Sequence, residues 1–304
     1  MLAAITGDTL LRVFADFAQM PEPLQLDLFG DRPALDRSSD GASATAIAPE
    51  GLSDGDLISA IPDVSLADAL AVTAEAGKRH LIAAVPTLTA LCNRFVGYGA
   101  VAVVPEQVAA LNALGAIGGR EAAHAVSGLI TRKIVQGPTL LTALSVAAQL
   151  GVVLPSNFGL GLLRDPDSSV RVMACGCVRA GAEIIAALIS LMSDPNAEVV
   201  IAASCALGRF GRTEALGRLK RYLAERPSRR VVEALIGVAD EEAIVLLART
   251  GRARRELTDS VIAALEEMEI PRALAAAEAL KKFASLAERH PLTGRIEVTE
   301  RSRE

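Results

Sequence analysis

An all-α repeat architecture is predicted by three features of the 304-residue sequence. The first is internal repetition: Leu114-Gly115-Ala116-Ile117-Gly118, then Glu121-Ala122, returns as Leu207-Gly208-Arg209-Phe210-Gly211, then Glu214-Ala215, at an offset of 93 residues. The second is a hydrophobic content of 51% with only 3% aromatic residues and no Trp. Apolar residues that are mostly Ala, Leu, Val and Ile suit helices whose backbones approach closely better than they suit a sheet with a large aromatic core. The third is the scarcity of strand-like alternation. Val101–Val104 is the one candidate strand, and Pro105 stops it.

Taken in order, residues 1–20 predict one amphipathic helix, capped by Asp8 or Thr9, with Leu10, Val13, Phe14 and Phe17 on one face. Pro21-Glu22-Pro23 ends it and forces an extended path. Residues 21–52 read as a flexible linker, rich in Asp, Ser, Gly, Ala and Pro beyond Gly30. Residues 53–289 read as a train of helices roughly 10–16 residues long, broken by Gly, Pro and Asp turns. Residues 290–304 form a polar tail.

A second repeated element sharpens the unit. Asp165-Pro166-Asp167 leads into Val170 and Ala174, and Asp194-Pro195-Asn196 leads into Val199 and Ala203, each a capping turn before an apolar helix face. Intermediate steps are present: Glu183-Ile184 after Ala180-Gly181, and Glu242-Ala243. The unit is therefore helix, Gly turn, helix, Asp-Pro turn, about 30 residues long; a single hairpin cannot bury its own stripe, so neighbours must stack. Asp-Pro-Asp, then Val170-Arg171, then Ala, Leu-Gly and a Gly turn resembles HEAT-like repeats of the short, phycobilisome-lyase type. The resemblance is good over residues 104–250 and weaker over 53–103 and 251–289. Arg171 matches the family's recurrent Arg, whereas Val200 stands at that place in the next repeat. The resemblance implies a right-handed α-solenoid of HEAT-like helical hairpins, usually a binding scaffold.

Composition narrows the function classes. Net charge is −5, segregated as −10 over residues 1–75 and +5 over the rest, so an acidic arm precedes a more basic body. The most apolar stretches, Ile82–Val104 and Leu140–Leu154, are interrupted by polar residues or too short to span a bilayer. The N-terminus lacks the basic region of a signal peptide, and a cytoplasmic protein is expected. Cys92, Cys175, Cys177 and Cys205 form no metal-binding spacing and read as buried reduced thiols. His80, His124 and His290 belong to no nucleophile or zinc motif, and His124 reads as a partly buried helix residue. No enzyme, no cofactor and no small-molecule substrate are expected. Some HEAT-like proteins are DNA glycosylases with an aromatic cleft that includes Trp; this chain, with only Tyr98 and Tyr222 besides its Phe residues, departs from that pattern.

Two segments point to partners. Gln25-Leu26-Asp27-Leu28-Phe29 resembles the Gln-Leu-Ser/Asp-Leu-Phe peptide by which bacterial polymerases and repair proteins bind the DNA sliding clamp. In an extended segment Leu28 and Phe29 can fill an apolar cleft while Gln25 anchors by hydrogen bonding; the same residues could instead pin the arm onto the solenoid. The second is a run of twelve cations against six carboxylates between residues 209 and 255. Stacked turns would line up Arg209, Arg212, Arg229, Arg230, Arg252, Arg254 and Arg255 as a stripe suited to phosphates, to the acidic arm, or to solvent with ion pairs such as Arg218 with Glu214. Protein partners are expected, the clamp among the candidates, with weak DNA contact as the alternative and no membrane.

Overall fold

The computed structural model describes residues 48–98 and 101–289. The chain divides into Met1–Thr45 and Ala46–Glu304, and every described residue belongs to the second unit. The arm helix, the Gln25–Phe29 segment and the polar tail lie outside the described residues.

Fifteen α-helices follow one another among the described residues, with no strand between them. They are α1 (Asp54–Ala60), α2 (Leu66–Lys78), α3 (Val85–Arg94), α4 (Pro105–Ile117), α5 (Gly119–Thr131), α6 (Gly137–Gln149), α7 (Ser156–Leu163) and α8 (Ser168–Ala174). After these come α9 (Ala182–Leu191), α10 (Ala197–Arg209), α11 (Leu216–Glu225), α12 (Arg229–Leu235), α13 (Glu241–Ala253), α14 (Thr258–Glu267) and α15 (Pro271–Arg289).

From α2 onward the helices form two layers. Each even-numbered helix packs on the next even-numbered one, from α2 to α14. In the odd-numbered layer α3 packs on α5, α7 on α9, α11 on α13 and α13 on α15, while α5 with α7 and α9 with α11 make no comparably close approach. Even-numbered helices from α4 begin at Pro105, Gly137, Ser168, Ala197, Arg229 and Thr258, steps of 29 to 32 residues. One hydrophobic core runs from Leu57 to Leu280. The described residues form an all-α solenoid.

Local chemistry sets the helix boundaries. The side chains of Ser53 and Ser65 accept from the backbone N–H of Asp56 and Asp68 and donate to the same residues' carboxylates, reciprocal caps on α1 and α2. Asp167, Asn196 and Asp240 cap α8, α10 and α13. The Leu-Gly-x-x-Gly sequences end α4 and α10 in the same way: Gly118 and Gly211 take φ of +71° and +70°, a left-handed turn that costs a side-chain-bearing residue energy. The first glycine of each pair serves packing. A Cβ on Gly208 would lie 2.4 Å from the Ala234 carbonyl oxygen, so α10 and α12 touch backbone to backbone.

The structure adds detail to the sequence reading in three places. Pro49–Leu52, inside the segment read as linker, are already held: Pro49 is buried, and the Arg79 guanidinium donates to the carbonyls of Pro49, Glu50 and Leu52 and to the Asp54 carboxylate. Val101–Val104 is not a strand; the Val104 N–H is spent on Thr139 Oγ1 at 3.1 Å and Pro105 opens α4 at once. Several helices are also shorter than expected, seven residues each in α1, α8 and α12, because α8 and α12 run into Gly176 and Gly237.

The longer step from α2 to α4 is bridged by Gln107. This fully buried side chain donates from Nε2 to the Cys92 carbonyl at 3.0 Å and lies within 3.4 Å of the Phe95 and Ile134 carbonyls, while its Oε1 has no partner. It joins the end of α3 to the α5–α6 turn, spending one amide on carbonyls that burial would otherwise orphan.

Candidate interaction surfaces

Repeat chemistry is most complete at the α8–α10 seam. Asp165 Oδ1 accepts from the Asp167 N–H, and Asp194 Oδ1 from the Asn196 N–H, both at 2.9 Å, so the two Asp-Pro turns are built alike. Arg171 on α8 donates to both carboxylate oxygens of Asp194 at 3.0 Å and to the carbonyls of Asp165 and Pro166. Its side chain is 13% exposed and that of Asp194 7%. Burial pushes the Asp194 carboxyl up, but the Arg171 guanidinium and the Asn196 N–H outweigh it and hold it below the usual carboxylate range. Val200 provides no such group one repeat later, and there the Gly208 contact forms the seam instead.

The seven basic residues singled out by sequence fall into separate groups. Arg209 donates to the Cys175 carbonyl at 2.9 Å, tying α10 to the end of α8. The positive charges of Arg209 and Arg230 partly offset the effect of burial on the thiols of Cys175 and Cys205. Arg212 pairs with Glu214 at 2.5 Å, Arg229 with Glu233 at 2.7 Å, and Arg254 with Glu256 at 3.9 Å. Glu214 thus takes Arg212, not Arg218. Arg252 and Arg255 share a cavity of about 310 Å³ with Thr258, Asp259 and Phe283. Lys220, within the same cationic run, is occupied by Asp240, the cap of α13, and by Glu242 in its first turn. Each pair on an exposed surface contributes about 0–1 kcal/mol, so these contacts set the local field more than they set stability.

All four cysteines are reduced and buried. Burial pushes the thiols of Cys92 and Cys175 up to about 12, and those of Cys177 and Cys205 up to about 11. They are core residues, with no thiolate to offer near neutral pH.

One wide concavity among the described residues has no counterpart in the sequence reading. An open groove of about 1060 Å³ runs between α3 and α5. Val85, Pro86, Thr89, Ala90 and Asn93 line one side; Arg120, Glu121, His124, Ala125, Gly128 and Arg132 line the other. Across α5 a second groove of about 640 Å³ reaches the α6–α7 turn and shares Arg120 and His124. His124, expected to be partly buried, is exposed on the ridge between the two. The spacing of residues 120, 124, 128 and 132 is helical and marks one face of α5, but that face gains meaning only once α3 is seen beside it.

Comparison with known proteins bears on the fold. A family profile for HEAT repeats matches residues 158–239, from α7 to just beyond α12. Over this stretch the chain is similar to HEAT repeats. No curated protein matches the chain. Among solved structures, the crystal structure of YibA from Escherichia coli is similar at 14% identity, with 79% of this chain aligned to 99% of that one at a TM-score of 0.35. None of the described helices is long and apolar enough to cross a membrane.

Proposed function

We propose that the chain is a non-catalytic, macromolecule-binding scaffold that takes protein partners on the outer surface of its helical layers. The observation that carries this reading is the division of labour within the repeat. One continuous core occupies the inward faces from Leu57 to Leu280, and the odd-numbered layer is left with open, side-chain-lined grooves. The HEAT-repeat match supports it, since such arrays present extended surfaces to partners. The test is affinity isolation with the full chain, identification of what it retains, and reconstitution from purified components. A saturable complex is expected; a chain that binds no macromolecule on reconstitution sinks the reading.

A second, more specific reading rests on Gln25–Phe29. It makes the chain an accessory factor of DNA replication or repair, recruited to the bacterial sliding clamp by this peptide while its Arg-rich repeats touch DNA. A peptide covering Pro21–Asp31 should bind purified clamp with micromolar affinity, and Leu28→Ala with Phe29→Ala should abolish binding. Duplex binding by the full chain should weaken steeply with added salt. A peptide silent towards the clamp removes this reading and leaves the scaffold untouched.

A further inference from the structure

The α3–α5 groove has the chemistry of a site for an acidic amphipathic peptide. Its floor is small and mostly apolar, with Ala90, Ala125 and Gly128, so a visiting helix can approach closely. Its α5 wall carries Arg120 and, at the residue that ends the helix, Arg132, twelve residues on and therefore about 18 Å away along the axis, with His124 between them. Among the described residues no carboxylate stands within 4.0 Å of Arg120, His124 or Arg132. The Arg132 guanidinium folds back over the floor, donating from Nε to the Gly128 carbonyl at 3.1 Å. Glu121 is the one acidic residue in the lining, at the Arg120 end.

A second observation marks the opposite end. Helix α3 leaves the groove past Asn93 into a segment where Val96 and Tyr98 are exposed, Tyr98 by 74%. Apolar exposure clustered in one short segment signals an unfilled contact. That segment is held in place: Arg94 donates to the Pro62 carbonyl and lies 5.5 Å from the centre of the Phe95 ring, and Phe95 meets Tyr98 edge to face at 6.3 Å. A pinned aromatic beside a groove presents contact area at little entropic cost.

We propose that this groove binds an acidic amphipathic segment of a partner protein, about 12 residues long if helical, with its carboxylates towards Arg120 and Arg132 and an apolar end over Val96 and Tyr98. The inference rests on the scaffold reading and specifies where and what that scaffold holds. Charge complementarity selects the occupant: an Arg-walled groove without internal carboxylate partners for those cations favours an anionic visitor and repels a basic one.

The absence of Trp from this chain provides the assay. The probe is a blocked synthetic amphipathic peptide of about 12 residues, with Glu at the positions that face Arg120 and Arg132, an Ala/Leu face and one Trp at the end that meets Val96 and Tyr98, titrated with the full-length protein and read by Trp fluorescence. Saturable binding is expected, with none for the same peptide carrying Lys in place of Glu. Arg120→Glu combined with Arg132→Glu should weaken it by roughly tenfold or more. Ala90→Phe, which plugs the exposed floor without touching charge, should weaken it as well, and unchanged thermal unfolding of both variants checks that they are folded. Lack of saturable binding by the acidic peptide, or binding indifferent to charge reversal and plug, overturns the proposal. Neither result touches the scaffold reading, which stands or falls on reconstitution of a macromolecular complex by the full chain. A self-association that the acidic peptide does not displace also counts against it, by assigning the groove to a second copy.

Discussion

Replacing Arg171 by Met keeps the apolar stem and removes only the guanidinium, so it isolates the polar chemistry of the α8–α10 seam. Four hydrogen bonds are lost, two to Asp194 and two to the carbonyls of Asp165 and Pro166. The Asp194 carboxylate keeps the Asn196 N–H, yet it remains only 7% exposed with no countercharge. Stranding one member of a buried pair costs about 3–5 kcal/mol; the carbonyls can be rehydrated, so about 3 kcal/mol is expected. At about 2–4 °C per kcal/mol for a unit of this size, Tm should fall by roughly 6–12 °C. Asp194→Asn in the Arg171→Met background removes the stranded charge and should recover part of the loss. The pH dependence fixes the mechanism. The Asp194 carboxyl is depressed in the folded protein, so its contribution is fully present above the ordinary carboxylate pKa of about 4 and is lost as pH falls through the lower folded value. The gap between wild type and Arg171→Met should therefore narrow in acid. Urea melts followed by circular dichroism, with hydrogen exchange over α8 and α10, measure both effects. Repeat arrays can unfold in parts, which makes the site-resolved exchange the sharper probe. An Arg171→Met variant as stable as the exposed control Arg229→Met at neutral pH refutes the reasoning.

Two further perturbations test packing. Gly208→Ala drives a methyl against the Ala234 carbonyl and Leu219 and should destabilise by about 1–3 kcal/mol, whereas Gly161→Ala, inside α7 with nothing within 4 Å of the new methyl, should stabilise by about 0.5–1 kcal/mol; equal shifts in paired urea melts contradict the assigned seam. The four buried thiols, raised to about 11–12 by desolvation, should resist a disulfide reagent at pH 8 in the native protein and all react in denaturant, and a rapidly reacting native thiol would show that one of the helices binding them opens.

The repeat itself was legible because its chemistry is local. Gly118 and Gly211 announce turns by identity, Asp167 and Asn196 announce caps, and the acidic residues Glu121, Glu183, Glu214 and Glu242 each open an odd-numbered helix or the short turn before it. Such signals need no knowledge of a distant neighbour. The groove was not legible for the opposite reason. Its walls come from residues 85–93 and 120–132, and α4 lies between them in sequence but not in that layer. His124 looks like any helical histidine until α3 is placed beside it. The cationic run was visible as charge density, while its partition was hidden: Glu214 is within reach of Arg212 and Arg218 by spacing alone, and in the short turn Thr213–Ala215 it pairs with Arg212. The Gln25–Phe29 segment keeps the standing of a sequence motif.

The open surfaces follow from how the two layers close. Even-numbered helices meet through small residues: a Cβ on Gly77 would lie 3.1 Å from Ala116, and one on Gly115 would lie 3.3 Å from Val146, besides the tighter contact at Gly208. Those contacts draw the even-numbered backbones together in an unbroken row from α2 to α14. The odd-numbered helices are joined to the same row by short turns; Gly251 brings α13 against Leu280 of α15, where a Cβ would lie 2.6 Å away, but the layer parts between α5 and α7 and between α9 and α11. Close packing on one side of a two-layer array thus leaves room on the other. The groove between α5 and the α6–α7 turn opens at one of these partings, and the α3–α5 groove runs along two odd-numbered helices that do pack on each other, lined by the side chains they turn outward. On α5 those side chains are Arg120, His124 and Arg132, and a surface of that charge, held by a core that does not depend on it, can change its partner by substitution without refolding the repeat.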